Sequence, residues 1–129
     1  MNALEVGNRL VQLVGQGKNR EAIEELYADT VVVNEAMTMP GRDNGPYSKA
    51  QLLEFSDEFF EMMEIHDAGV EGPFPHGDGF IAYMWIDLTP KGGPGGGNRM
   101  LMKEACVYKV DDGKITESHF CYPPMPGCD

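Results

Sequence analysis

FIAYMWIDLT (residues 80–89) and MLMKEACVYKV (residues 100–110), joined by KGGPGGGN (residues 91–98), decide the fold. Both runs are long, proline-free and rich in aromatic or branched residues, so each reads as an extended strand. Five glycines in the eight joining residues make that segment a hairpin loop. Asp111-Asp112-Gly113 is a strong tight-turn signal, and KITESHFCY (residues 114–122) after it reads as the last strand. Three consecutive strands therefore pair as an antiparallel meander.

Upstream of the meander the pattern is mostly helical. Val6, Leu10, Leu13 and Val14 keep a helical spacing that ends near Gly15 and Gly17. Asn19 is placed to cap a second helix with Ala22, Ile23, Leu26 and Tyr27 on its inner face. Thr30 to Val33 is a β-branched strand carrying Asn34 and Glu35 at its end, and PGRDNGPY is loop. Ser48 and Gln51 form a capping box for a third helix, whose apolar set is Leu52, Leu53, Phe55, Phe59, Phe60 and Met63. A short strand is expected over about Ile65 to Glu71, before the turn-rich GPFPHGDG. The tail PPMPGCD cannot continue a ladder. The expectation is one α+β domain over residues 1–122 and an irregular tail over 123–129, without internal repeats.

Composition bounds the function. The chain has 129 residues, 42% hydrophobic and 24% charged, an ordinary globular mixture. Its net charge of -11 would be repelled by nucleic acid or an anionic membrane, so neither is an expected partner. No apolar run approaches the ~18 residues of a transmembrane helix. MNALEVGNRL lacks the basic-then-apolar order of a secretory signal. The odd, sparse set Cys106, Cys121 and Cys128 fits a reduced compartment, and a cytoplasmic location is expected.

Three acidic residues interrupt the apolar strands: Glu35 in VVVNEAM, Asp87 in FIAYMWIDL and Glu104 in MLMKEACVYKV. A carboxylate facing a core costs several kcal/mol unless it is paired or wet, so three interruptions point to a shared polar pocket in an apolar shell. Alternation groups Ile81, Tyr83, Trp85 and Asp87 on one face of their strand, against Phe80, Ala82, Met84, Ile86 and Leu88 on the other. On the next strand Met100, Met102, Glu104, Cys106 and Tyr108 oppose Leu101, Lys103, Ala105, Val107 and Lys109. Both faces are apolar enough to need covering. The expected second cover is another subunit, forming a homodimer through Ala82, Met84, Ile86, Ala105 and Val107.

The element order, with EAIEELYADTVVVNEA near the start and ACVYKVDDGKITESHFCY near the end, resembles the nuclear-transport-factor-2-like superfamily, in its SnoaL-like and ketosteroid-isomerase-like branches. The resemblance implies a cystatin-like cone: three helices packed in the concavity of a curved, mostly antiparallel sheet. It places Glu35 where such isomerases carry their carboxylate base. It also implies that Tyr83, Trp85, Asp87, Cys106, Phe120 and Tyr122 line the interior, and alternation adds Glu104 and Tyr108. Two departures stand out. The oxyanion-donating tyrosine of those isomerases falls on Leu10, and their assisting acid falls on Cys106, a feeble donor.

The resulting expectation is an enzyme of isomerase, cyclase or dehydratase type, acting on a small hydrophobic carbonyl compound. Glu35 would be the base, with Glu104 or Asp87 as acid, and Tyr83, Trp85, Cys106, Tyr108, Phe120 and Tyr122 would contact the substrate. No metal or organic cofactor is expected, because no CxxC or HxxxH spacing is present. The alternative is a non-catalytic module of the same fold that binds an apolar ligand or dimerises. His66 and His76 lie on a strand of uncertain phase and in a turn. Ser118, Phe120 and Tyr122 inward would turn His119 and Cys121 outward; a one-residue slip would instead bring His119 into the pocket. GDGFIA matches GxGxxA but leads into a strand, and GKI lacks the rest of a phosphate loop, so both read as turns.

Overall fold

The structure is a computed structural model that describes residues 1–37, 41–93 and 95–123. Its elements are α1 (Ala3–Gly15), α2 (Asn19–Leu26), β1 (Tyr27–Glu35), β2 (Tyr47–Ser48), α3 (Lys49–Met62), β3 (Met63–His76), β4 (Gly79–Pro90), β5 (Met100–Asp111) and β6 (Lys114–Cys121). The six strands form one curved sheet in the order β2-β1-β6-β5-β4-β3, antiparallel except where β1 runs parallel to β6. The three helices pack against one face of that sheet, giving the α+β cone.

Local chemistry sets the boundaries. Asn2 and Glu5 cap α1 reciprocally, and Ser48 and Gln51 do the same for α3. The second helix departs from expectation: Asn19 is its first residue, and Lys18 occupies the cap position without a side-chain bond. Asp112 and Gly113 both have positive φ, +49° and +75°, and Asp111 pairs with Lys114, so the turn joining β5 to β6 has two residues. The glycine-rich segment closes the β4–β5 hairpin, whose register brings Leu88 opposite Met100.

Strand β3 is a correction. It does not stop near Glu71 but continues through Gly-Pro-Phe-Pro to His76, with a register shift between Glu71 and Phe74. The physical reason is position: β3 is an edge strand, where a proline's missing N–H need not break a ladder on both sides. Residues 124–129, with Cys128, lie outside the described residues. Among the described residues no helix is long and apolar enough to cross a membrane.

The core lies between α1, α2 and the narrow part of the sheet. Val6, Leu10 and Leu13 of α1 and Ala22 and Leu26 of α2 are buried with Val31, Phe80, Ala82, Tyr108 and Ile115. The third helix contributes only Leu52 to this fully buried set, because its remaining apolar side chains border a cavity.

Candidate active site

A cavity of about 700 Å³ separates the helices from the concave face of the sheet. Its helical wall is made by Leu10 and Val14 of α1, Ala22 and Ile23 of α2, and Leu52, Phe55, Phe59 and Phe60 of α3. The sheet supplies Val33 and Glu35 from β1, Met84 and Ile86 from β4, and Met102, Glu104 and Tyr108 from β5. Ser118 and Phe120 of β6 and the following Tyr122 complete it, and Arg42 and Asp43 lie along the loop before β2. An 8-stranded barrel is not needed to enclose a ligand-sized space here, because α3 closes the open side of the curved sheet.

Glu35 and Glu104 both reach this cavity. Alternation from buried Val31 turns Val33 and Glu35 inward, and Glu104 faces the same way as buried Cys106 and Tyr108. The Tyr122 hydroxyl donates to Glu35 Oε2 at 2.9 Å. Glu35 keeps one edge in solvent, yet desolvation of its cavity-facing carboxylate pushes its pKa up, opposed by the Tyr122 bond and by Arg42. Glu104 sits deeper. Its pKa is also raised, first by burial and then by the charge of Glu35, while the Cys106 thiol acts in the opposite direction.

The two carboxyls differ in what acts on them: a hydroxyl donor and a guanidinium favour the charged form of Glu35, whereas burial and the charge of Glu35 favour the protonated form of Glu104. Tyr122 is held protonated, its pKa pushed to about 12 by burial and by its bond to Glu35. The result is one carboxylate suited to accept a proton beside one suited to donate.

The remaining expected residues divide. Tyr108 is buried, stacked on Phe80 with ring centroids 4.9 Å apart and meeting Phe120 edge-on at 6.3 Å. Burial raises the Tyr108 phenol well above its ordinary range, with the neighbouring Tyr27, Cys106 and Glu104 adding to the effect. Cys106 is fully buried beside Glu104 and its thiol is pushed up, chiefly by desolvation, so it is no nucleophile. Ser118 is also fully buried, and its Oγ has no hydrogen-bond partner among the described residues.

Tyr83, Trp85 and Asp87 are corrections: they lie on the opposite face of the sheet. The register opposes Ala82 to Cys106 and Met84 to Glu104, and directly paired residues share a face, so Ala82, Met84 and Ile86 are the inward set. The Trp85 indole lies over Gly69 of β3, and a Cβ there would overlap the ring. Asp87 is clamped by Arg99, whose Nε and Nη2 donate at 2.9 and 2.7 Å, and this bond holds its carboxyl below the usual range. For the same reason Ala82, Met84 and Ile86 cannot form an outer dimer face, though Ala105 and Val107 remain outside. His119 is exposed beside Glu117 and Asn34 on that outer side. Met84 and Ile86, expected on the outer face, and Arg42, not named in the sequence reading, are cavity residues. The pairing parity of Ala82 with Cys106 is the signal that would have found the first two.

Among the described residues, no group of three or more His, Cys, Asp or Glu is arranged to hold a metal ion. Comparison with known proteins bears on the fold and the family. The family model described as SnoaL-like domain matches residues 1–122. A crystal structure from Mesorhizobium loti, described as a candidate SnoaL-like polyketide cyclase with "carbohydrate phosphatase" in brackets, is 36% identical. It aligns over 95% of this chain and 100% of its own with a TM-score of 0.85. An NTF2-like protein from Burkholderia thailandensis is 14% identical over 95% of this chain and 92% of its own, with a TM-score of 0.77. A Xanthomonas campestris protein of cystatin-like fold is 13% identical over 95% and 91%, with a TM-score of 0.67. These last two speak for the fold alone. No curated protein matches the chain.

Proposed function

The chain belongs to the SnoaL-like domain family, and from that premise we propose that it catalyses carboxylate acid/base chemistry on a small hydrophobic carbonyl compound. The observation that supports this most is the pairing of Glu35 and Glu104 in one largely apolar cavity, with different surroundings. Glu35 takes a proton from a carbon next to the carbonyl. Glu104 donates to the developing enolate oxygen. Return of the proton to another carbon gives an isomerase. Loss of a β-hydroxyl as water, with the proton held by Glu35, gives a dehydratase. Attack of the enol carbon on a second carbonyl, whose oxygen takes the proton from Glu35 while the enol proton returns to Glu104, gives a cyclase. Tyr122 orients Glu35. Tyr108 and Phe120 offer flat apolar contact to a ring.

The competing reading is a non-catalytic ligand-binding or dimerisation module. It draws on Leu10 and Cys106 standing where the resembling isomerases carry their oxyanion donors. Proton exchange separates the two. In D2O the protein should accelerate loss of the α-protons of 2-tetralone, followed by NMR. Glu35→Gln should reduce that acceleration by roughly a hundredfold or more. Exchange indifferent to Glu35 would remove it as the base. An absence of acceleration across small cyclic ketones would favour the non-catalytic reading.

For assembly we propose a homodimer through the outer face bearing Ile81, Tyr83, Trp85, Ala105 and Val107, which keeps the expected β5 residues and replaces those of β4. Two aromatic side chains and three aliphatic ones on one sheet face support that reading.

A further inference from the structure

We infer that the substrate is a carbonyl compound bearing a carboxylate, and that the Arg42 guanidinium binds this carboxylate where the cavity wall meets solvent. This names the substrate class for the acid/base reading and rests on it. Among the described residues, Arg42 is the only lysine or arginine lining the cavity. Its Cζ lies 3.8 Å from the centroid of the Phe55 ring, itself part of the wall, so the charged head is held at the lining. The side chain still keeps 32% of its surface open, so an incoming group can reach it.

The donors of this guanidinium are mostly uncommitted. Among the described residues its one partner is Glu58, whose Oε2 lies 3.3 Å from Nη2. That pair is long and exposed, and Glu58 does not line the cavity, so it steadies the arginine from outside. The nearer acids are engaged elsewhere: Asp43 Oδ1 accepts from the Gly45 N–H at 2.9 Å, and Glu35 accepts from Tyr122. The loop itself is tied back to β1. The Asn44 carbonyl accepts from the Val33 N–H at 3.0 Å, and Asn44 Nδ2 donates to Asn34 Oδ1 at 2.9 Å. This return brings the Arg42 charge close enough to favour the ionised form of Glu35, while its ion pair is with Glu58. The ligand's carboxylate and the carbon presented to Glu35 are accordingly at the same end of the molecule. A guanidinium matches a planar carboxylate, which accepts two of its N–H bonds in parallel. With no second cation in the lining, a dianion such as a phosphate monoester would keep one charge uncompensated beside two carboxyls.

The test measures equilibrium binding of 2-naphthoate and of 2-naphthamide, its neutral isostere, near pH 7. The net charge of -11 opposes any anion, so a preference for naphthoate can arise only from a local cation. The wild type should show that preference by about tenfold, the lower end for a hydrogen-bonded charge. Arg42→Gln should abolish it by weakening naphthoate alone. Arg42→Lys should keep part of it, because the charge stays and the fork is lost. Glu58→Gln should keep all of it. A wild type that prefers the amide or binds neither probe, or equal weakening of both probes by Arg42→Gln, would overturn the carboxylate site. Tighter binding of 2-naphthyl phosphate than of naphthoate would overturn the choice of a carboxylate. Exchange of the 2-tetralone α-protons separates this inference from the reading beneath it. Glu35-dependent exchange without an Arg42-dependent preference overturns the carboxylate site alone. Glu35-independent exchange with the preference intact overturns the base alone.

Discussion

Glu35 and Glu104 differ in what surrounds them rather than in what they are. A hydroxyl donor and an arginine face one; burial and its partner's charge dominate the other. The raised pKa of Glu104 has a direct consequence for stability. Between the ordinary carboxylate value of about 4.3 and the raised value, the folded protein keeps a proton that the unfolded chain has released. Stability from this group is therefore complete below about pH 4 and lost as pH rises through the folded value. Glu104→Gln should melt a few degrees above the wild type at pH 8, with the difference vanishing near pH 4. Glu54→Gln on the exposed side of α3 controls for the change in net charge. Thermal melts across that range that stay parallel would mean the carboxylate is not desolvated. Activity should instead be bell-shaped in pH, falling on the acid side as Glu35 is protonated and on the alkaline side as Glu104 ionises.

Among the elements, β4 decides the most. Its register against β5 chooses which half of FIAYMWIDL enters the cavity, and its pairing with β3 gives the excluded half a place to pack. Gly69 is essential to that arrangement, because the Trp85 indole occupies the space a Cβ would take. Gly69→Ala should destabilise the fold by about 1–3 kcal/mol in urea denaturation, the usual cost of overpacking against a rigid ring. An unchanged midpoint would show that the indole swings free. Helix α1 meets the sheet as closely: a Cβ on Gly7 would come within 2.7 Å of Pro73 and 2.9 Å of Phe80. That contact explains a glycine in mid-helix, where propensity alone disfavours it by about 1 kcal/mol.

For the molecule as a whole, the cone must cover both faces of one sheet. The helices and cavity account for the concave side. On the other side Tyr83 and Trp85 are only half-buried in the single chain. If a second copy covers them, Trp85→Glu should convert a dimer to monomer at micromolar concentration in sedimentation or light scattering. The substitution places a charge in the interface without touching the cavity. A dimer of unchanged affinity would place the contact elsewhere. Ala82, Met84 and Ile86 are not the residues to change, since Ala82 is buried in the core, Met84 and Ile86 line the cavity, and their replacement would confound assembly with folding.

Much of this was legible in local chemistry. Capping boxes, the Asp112-Gly113 turn, a glycine-rich hairpin and strand alternation act over a few residues, so element order and the α+β class follow from the chain read on its own. Alternation grouped Glu104 with Tyr108, whereas the interior placement of Glu35, Phe120 and Tyr122 came from the family resemblance. The absolute phase of β4 was not, because both halves of FIAYMWIDL are apolar and alternation says only which residues go together. Nor was the length of β3, since proline reads as a break until the strand is known to be an edge. Those choices rest on contacts between residues far apart in sequence: Cys106 against Ala82, Trp85 over Gly69, and Arg99 drawing Asp87 to the outer face. Such pairings exist only once the sheet has formed.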